Sequence, residues 1–465
     1  MYKRKIIASG IIMMLGAPLS AVAGESAEMQ QIRQEINALK QSYEARIQAL
    51  ELRLQKTEAA SSAAESHAAQ AEAAASQAAA APPAPAPADN INAFNPGVSL
   101  ILSGLYSNHS RDPAGHAITG FHLPPAVMAD LQPQRGFSLA ESELGIYASV
   151  DQLFYGGLNF AIHPDNTVST EEAFIQTTAL NHGLTLKAGR FFSGIGYLNE
   201  QHAHVWDFVD APLAYQAFLG GQMNNDGLQL RWLAPTDTYF ELGAEVGRGA
   251  NYPGTGRDKN GSGASALFAH LGGDVGDSNS WRAGLSLLTT APQDRQWDDT
   301  NLGGAGVTNS FSGNSKLWIA DAVWKWAPNG NAYYTNFKLQ GEYLRRVEDG
   351  SLVYDLNGVA VPGSYAATQS GWYLQGIYQF APYWRAGLRT ERLDPGSVDY
   401  GVNDGVLSRP AYRPVRHSLM LDYNPSEFSR IRLQFAQDKA TQGATDNQIF
   451  LQYQMSLGAH GAHKY

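Results

Sequence analysis

From Pro96 onward the chain alternates apolar and polar residues in segments of about ten, and the gaps between segments are alternately short and long. Val98–Ser107 precedes a long polar gap and then Phe137–Val150; a tight turn at Asp151–Gln152 leads into Phe154–Ile162. A period of two is that of a strand with unlike environments on its two faces. Thirteen further segments follow: Thr170–Leu180, Leu184–Phe191, Gly227–Leu233, Tyr239–Gly247, Ala264–Gly273, Trp281–Leu288, Lys316–Trp326, Phe337–Leu344, Gly371–Phe380, Trp384–Arg392, Arg416–Tyr423, Ser429–Gln437 and Gln448–Leu457. The pattern predicts an all-β chain, a transmembrane antiparallel β-barrel of about sixteen strands over 96–465. A chain that crosses a bilayer as strands must close on itself, because lipid offers its backbone no hydrogen-bonding partner.

The turns at 179–183, 234–237, 276–280, 327–331, 381–383 and 424–427 are short and rich in Gly, Pro, Asn or Asp. The gaps 108–135, 192–226, 248–262, 289–314, 346–369, 393–414 and 438–447 are longer and, with the shorter 163–169, are expected to face the cell exterior. Parity assigns the faces. In Trp384–Arg392, Trp384, Ala386 and Leu388 oppose Arg385, Gly387, Arg389 and Glu391. A charge on the lipid face costs roughly 2–4 kcal/mol at mid-membrane, so the charged set is expected inside. Trp281, Trp326, Tyr378, Tyr383, Trp384 and Tyr423 are expected as interfacial girdles.

Before the barrel the period changes. Residues 1–23 read as a secretory signal, with Lys3, Arg4 and Lys5, an apolar run to Leu19, and Ala21-Val22-Ala23. Over 24–60, Met29, Ile32, Ile36, Leu39, Tyr43, Ile47, Leu50 and Leu54 recur at three- and four-residue steps, which predicts a periplasmic coiled-coil helix. Residues 61–95 are rich in alanine and then proline, a stiff linker. Such a stalk fits a homotrimer held by barrel and coiled coil, with peptidoglycan as a further partner and the C-terminus also periplasmic.

Composition narrows the function. The chain has no cysteine, 16% charged residues and a net charge of -10. Thiol catalysis and thiolate metal sites are excluded, and the charge argues against nucleic acid. No nucleotide loop or catalytic triad stands out: His417 beside Ser418 has no third member. The pattern calls for no enzyme and no cofactor.

Two constellations could select a solute. Arg385, Arg389, Arg416, Arg430 and Arg432 fall on neighbouring strands, whereas Glu141, Glu143, Glu172, Glu241 and Glu245 fall mostly earlier. Opposed basic and acidic walls would form a constriction; mutual pairing that only hydrates the wall is the alternative. The second constellation is the third outward gap, 192–226. It contains Glu200, His202, His204, Asp207 and Asp210, whose imidazoles and carboxylates could hold a divalent metal or simply supply polar groups to the pore edge. His460 and His463 could bind metal casually near the C-terminus; the alternative is a disordered tail.

The Met29–Leu54 stripe, the segment Leu184-Thr-Leu-Lys-Ala-Gly-Arg190 with the long insertion after it, and the closing strand toward Tyr465 resemble the trimeric outer-membrane porins. The likeness is nearest to those with an N-terminal coiled coil, the phosphate-selective porin group. It covers the mature chain, apart from the extension Gly458–Tyr465 past the last strand. The resemblance implies a passive diffusion channel for small hydrophilic solutes or ions in the Gram-negative outer membrane, with the third outward gap, 192–226, folded into the lumen and narrowing it. The alternative is a substrate-specific uptake channel or receptor for an oxyanion or a metal such as zinc. Plugged receptors have larger barrels of about twenty-two strands, and 24–95 is too simple to form a plug.

Overall fold

The computed structural model describes residues 96–131, 134–256 and 258–458. The export signal expected over 1–23, the coiled coil over 24–60, the linker over 61–95 and the residues His460 and His463 lie outside them. The described residues form one closed antiparallel sheet. In chain order its strands are β1 (Gly97–His109), β2 (Gly136–Leu139 continued by Ser142–Ser149), β3 (Phe154–Ile162), β4 (Val168–Thr177), β5 (Leu184–Phe192), β6 (Asn224–Leu233), β7 (Tyr239–Gly247) and β8 (Ala264–Val275). They continue with β9 (Asn279–Thr290 continued by Arg295–Thr300), β10 (Gly306–Trp326), β11 (Asn336–Tyr354), β12 (Val361–Ala381), β13 (Trp384–Asp399), β14 (Val415–Ser426), β15 (Ser429–Lys439) and β16 (Asp446–Gly458). Both pieces of β2 pair with β1, and both pieces of β9 pair with β10, so the barrel has sixteen strands, the number the alternation predicts. β1 pairs with β16 from Ser99↔Gly458 to His109↔Gln448, and no sheet edge remains open. Closure satisfies the backbone where water is absent.

The faces follow parity over most of the wall. Leu388 is 65% exposed on the outside of β13 while Arg389 is 3% exposed on the inside. On β15, Ile431, Leu433 and Phe435 point out while Arg432, Gln434 and Ala436 are buried. Trp318 and Trp326 share the outward face of β10, eight residues apart. That is about 27 Å along a strand and roughly 20 Å along the axis of a barrel tilted ~40°, close to the height of a lipid-facing band. Trp384 packs on Tyr423 at 4.7 Å between ring centroids, near the short turns.

Two expected exterior gaps are mostly strand. β9 and β10 run through 289–314 to a turn at 301–305, and β11 and β12 run through 346–369 to a turn at 355–360. These extensions bury Trp297, Phe311, Leu352, Tyr365 and Tyr400 in a second core around the Arg295–Glu348 ion pair at 2.8 Å. Their polar, glycine-rich sequence hid the strand period. A hairpin above the membrane need not keep an apolar outer face.

Candidate functional site

The segment 193–223, between β5 and β6, crosses the barrel interior. Its helix α1 (Leu213–Leu219) has every residue buried. The apolar side of α1 is met by Leu317 and Ile319 of β10, Leu344 of β11, Tyr373 of β12 and Leu393 of β13, so these strands are apolar inside as well as outside there. Residues Ile118, Phe121 and Leu123 of the first long loop close over it, with Phe121 edge-on to Phe218 at 5.5 Å. The first loop reads from sequence only as a polar gap; Ile118, Phe121 and Leu123 were the available signal.

Carboxylates of the wall receive the backbone of the segment. Glu245 of β7 accepts from Ser193 Oγ at 2.6 Å and Gly194 N at 2.8 Å. Glu342 of β11 accepts from Tyr197 N, Leu198 N, Tyr215 Oη and Tyr373 Oη at 2.6–3.2 Å. Glu391 of β13 accepts from Leu213 N at 2.5 Å, at the positive end of α1. Buried amides need such acceptors. Glu342 and Glu391 were not among the residues singled out from sequence, since nothing local marks their partners.

The arginine wall also meets the segment. Arg389 pairs with Asp210 at 2.7 Å and with Glu391 at 2.8 Å. Arg416 pairs with Asp210 at 2.7 Å and Glu391 at 2.9 Å. Arg385 pairs with Asp207 at 3.2 Å and Asp422 at 2.5 Å, and Lys338 with Asp207. Arg432 pairs with Asp422 at 2.7 Å and donates to the Trp206 carbonyl at 2.9 Å. Arg430 donates to the His204 carbonyl at 2.7 Å and to Gln454 at 2.6 Å. Burial opposes charge on Asp207 and Asp210, but the cations outweigh it. Lys338 and Arg385 hold Asp207 well below the usual carboxylate range, and Arg416 and Arg389 hold Asp210 down at about 2.

The histidines face the opposite wall. His202 Nδ1 lies 3.1 Å from Glu143 and 3.3 Å from Glu171, and its Nε2 lies 3.0 Å from Glu172. His204 Nδ1 lies 2.6 Å from Glu143, and the two imidazoles stack at 5.6 Å. Burial opposes a proton on His202, yet the three carboxylates raise its pKa well above the ordinary imidazole value. Glu200 pairs instead with Arg231, which also meets Glu241 at 3.4 Å; His270 meets Glu241 at 3.1 Å. The structure therefore brings His202 and His204 together with Glu143, and Glu141 with Glu143 and Glu171, while Glu200, Asp207 and Asp210 pair with cations elsewhere.

Glu171 was not singled out from sequence because strict alternation gives it and Glu172 opposite faces. A β-bulge removes that opposition. Asn159 pairs with Glu172 and Phe160 with Thr170, so Glu171 is the extra residue and both carboxylates reach His202.

No protein-family model matches the sequence. Solved structures that resemble the chain are outer-membrane proteins. A loop-deletion form of OmpT, an outer membrane protein of Vibrio cholerae, is 11% identical, with 79% of this chain and 100% of that one covered and a TM-score of 0.49. An anion-selective porin from Comamonas acidovorans is 12% identical, with 78% and 100% covered and a TM-score of 0.45. The outer membrane channel DcaP of Acinetobacter baumannii is 12% identical, with 78% and 97% covered and a TM-score of 0.44. Likeness of this degree carries no function across. A protein of Aquifex aeolicus (strain VF5), described as uncharacterized, is 30% identical over 398 residues, 80% of each chain. Identity sustained over that length makes the two chains relatives through the barrel, and this chain belongs to the family of that Aquifex aeolicus protein.

Proposed function

We propose that the protein is a passive outer-membrane channel for small hydrophilic solutes or ions. The observation that carries this reading is a closed sixteen-strand wall with apolar residues outward and charged residues inward, crossed by one segment that narrows the bore. Such a wall is stable only with lipid outside and a polar interior. The short turns then face the periplasm and the long loops the exterior. The stalk expected over 24–60 supports a homotrimer and contact with peptidoglycan. Transport of this kind needs no catalysis. Single-channel recording of the purified protein in planar bilayers tests the reading: stepwise conductance is expected, and its absence overturns it.

One observation favours an anion or oxyanion preference within that reading. At the short-turn mouth, a cavity of about 600 Å³ is lined by Lys325, Lys338 and Arg385 with Asp274 and Asp277, and one of about 860 Å³ by Arg385 and Arg430 with Glu427. Both include Ala332 and Asn336, so the basic groups share one vestibule. The four basic side chains of this lining exceed its three carboxylates by one, and a surplus of fixed positive charge at a mouth raises the local anion concentration. The reversal potential across a potassium chloride gradient should take the sign for anions; the opposite sign removes this preference and leaves the channel.

A further inference from the structure

We propose that His202 and His204, together with Glu143 and Glu171, form a binding site for one divalent transition cation between the in-folded segment and the β2–β4 wall. The site goes beyond the channel reading and does not depend on it.

Two backbone irregularities build the cluster. β1 pairs Ile101 with Glu143 and Gly104 with Leu139, so β2 spends three residues, 140–142, where β1 spends two. Glu141 sits in that bulge. The bulge on β4 does the same for Glu171. Bulges re-aim side chains that regular pleating would turn away. Here a pair of them lies on neighbouring parts of one wall, and carboxylates at both bulges come within reach of Glu143.

The donor set and spacing suit a metal. One ligand atom from each of Glu143, His202 and His204 lies within 4.8 Å of the others, and the same holds for Glu141, Glu143 and Glu171. The direct separations are 3.1 Å and 3.3 Å from His202 Nδ1 to Glu143 and Glu171, and 2.6 Å from His204 Nδ1 to Glu143. Ligands held at 2.0–2.2 Å around a tetrahedral ion stand about 3.4 Å apart, so small side-chain adjustments admit the ion. Two imidazole nitrogens with carboxylate oxygens select zinc-like ions over magnesium or calcium, which take oxygen alone.

The cluster also has acceptors in excess. The Asn159 amide nitrogen donates to Glu143 at 2.9 Å and to Glu171 at 3.4 Å, and it lies 3.0 Å from His202 Nδ1. Glu141 Oε1 is buried from solvent without a hydrogen-bond partner. Among the described residues no arginine pairs with these carboxylates, in contrast to the arginine wall. Lys187 of β5 adds a positive charge near Glu172. Four carboxylates gather here with two imidazoles and one ammonium, and a divalent ion would bring further positive charge while replacing hydrogen-bond donors with coordination.

The test uses the detergent-solubilised full chain with His460→Ala and His463→Ala, which removes two imidazoles able to bind metal independently. Calorimetric titration with Zn²⁺ should show one saturable site per chain. Co²⁺ should give visible absorption bands that Zn²⁺ abolishes. Glu143→Gln and His204→Ala should each raise the Zn²⁺ dissociation constant at least about tenfold, with barrel content checked by circular dichroism. If one variant does not fold, the other still decides. Absence of saturable binding in the parent, or binding unchanged in a folded variant, overturns the site. Binding with no channel conductance would uphold it while the channel reading fell.

Discussion

Where residues 207–213 meet β13–β15, every carboxylate of the segment finds a cation, and Arg389, Arg416 and Glu391 knit the contact together. Where His202 and His204 meet β2 and β4, Glu143, Glu171 and Glu172 converge on two imidazoles, with Glu141 beside Glu143 and Glu171. The same segment is thus held at one end by balanced, fixed charges and at the other by groups whose charge depends on protons or a bound ion. Arginine stays charged under all ordinary conditions; imidazole does not. The arginine end behaves as a permanent clamp, and the histidine end is suited to a removable occupant. The five arginines are therefore not a bare basic wall, because the segment's own aspartates offset much of their charge.

The largest effect should come from breaking the clamp at Glu391, which is fully buried and accepts from Arg389, Arg416 and Leu213. Glu391→Ala leaves two guanidinium groups and a helix terminus underpaired, at a cost of about 3–5 kcal/mol. Urea unfolding followed by tryptophan fluorescence should show the loss. Asp210→Ala should cost less, since Glu391 still serves both arginines. Equal losses would mean that the two acids do not act on one network.

Removing most of the crossing segment should next raise single-channel conductance, by about twofold or more if it is the main obstruction. Unchanged conductance would place the ion path away from it. A smaller effect separates the two kinds of arginine. Arg430→Gln, which loses a carbonyl and Gln454 rather than a carboxylate, should shift the reversal potential toward cations with little change in unfolding. Arg389→Gln should also shift it toward cations but destabilise the protein, because Asp210 and Glu391 lose a partner.

The smallest effect concerns pH. Asp210 is held at about 2, below the ordinary aspartate value near 3.9, so its stabilisation is present above the latter and is lost as pH falls toward 2. In a chain with His202→Ala and His204→Ala, the unfolding midpoint should therefore stay nearly constant from pH 8 to about 5 and fall below 4. A fall already at pH 6 would show that another group governs the clamp.

The alternation of residues determined the sixteen strands and their faces, because each strand residue meets either lipid or the interior regardless of its distant partners; the inward course of 192–226 was legible only through the resemblance to porins. Arg385, Arg389, Glu143 and Glu245 are inward for that reason alone. Their partners were decided only by closure. Asp210 and Arg389 are 179 residues apart, and which wall each end of the segment reaches depends on the curvature of the whole sheet. The outer extensions of β9–β12 escaped the alternation because no lipid sorts their faces. Glu171 escaped it because one inserted residue reverses parity without leaving a mark in composition. Local period is written residue by residue, whereas the pairing of charges across the lumen is a property of the closed wall.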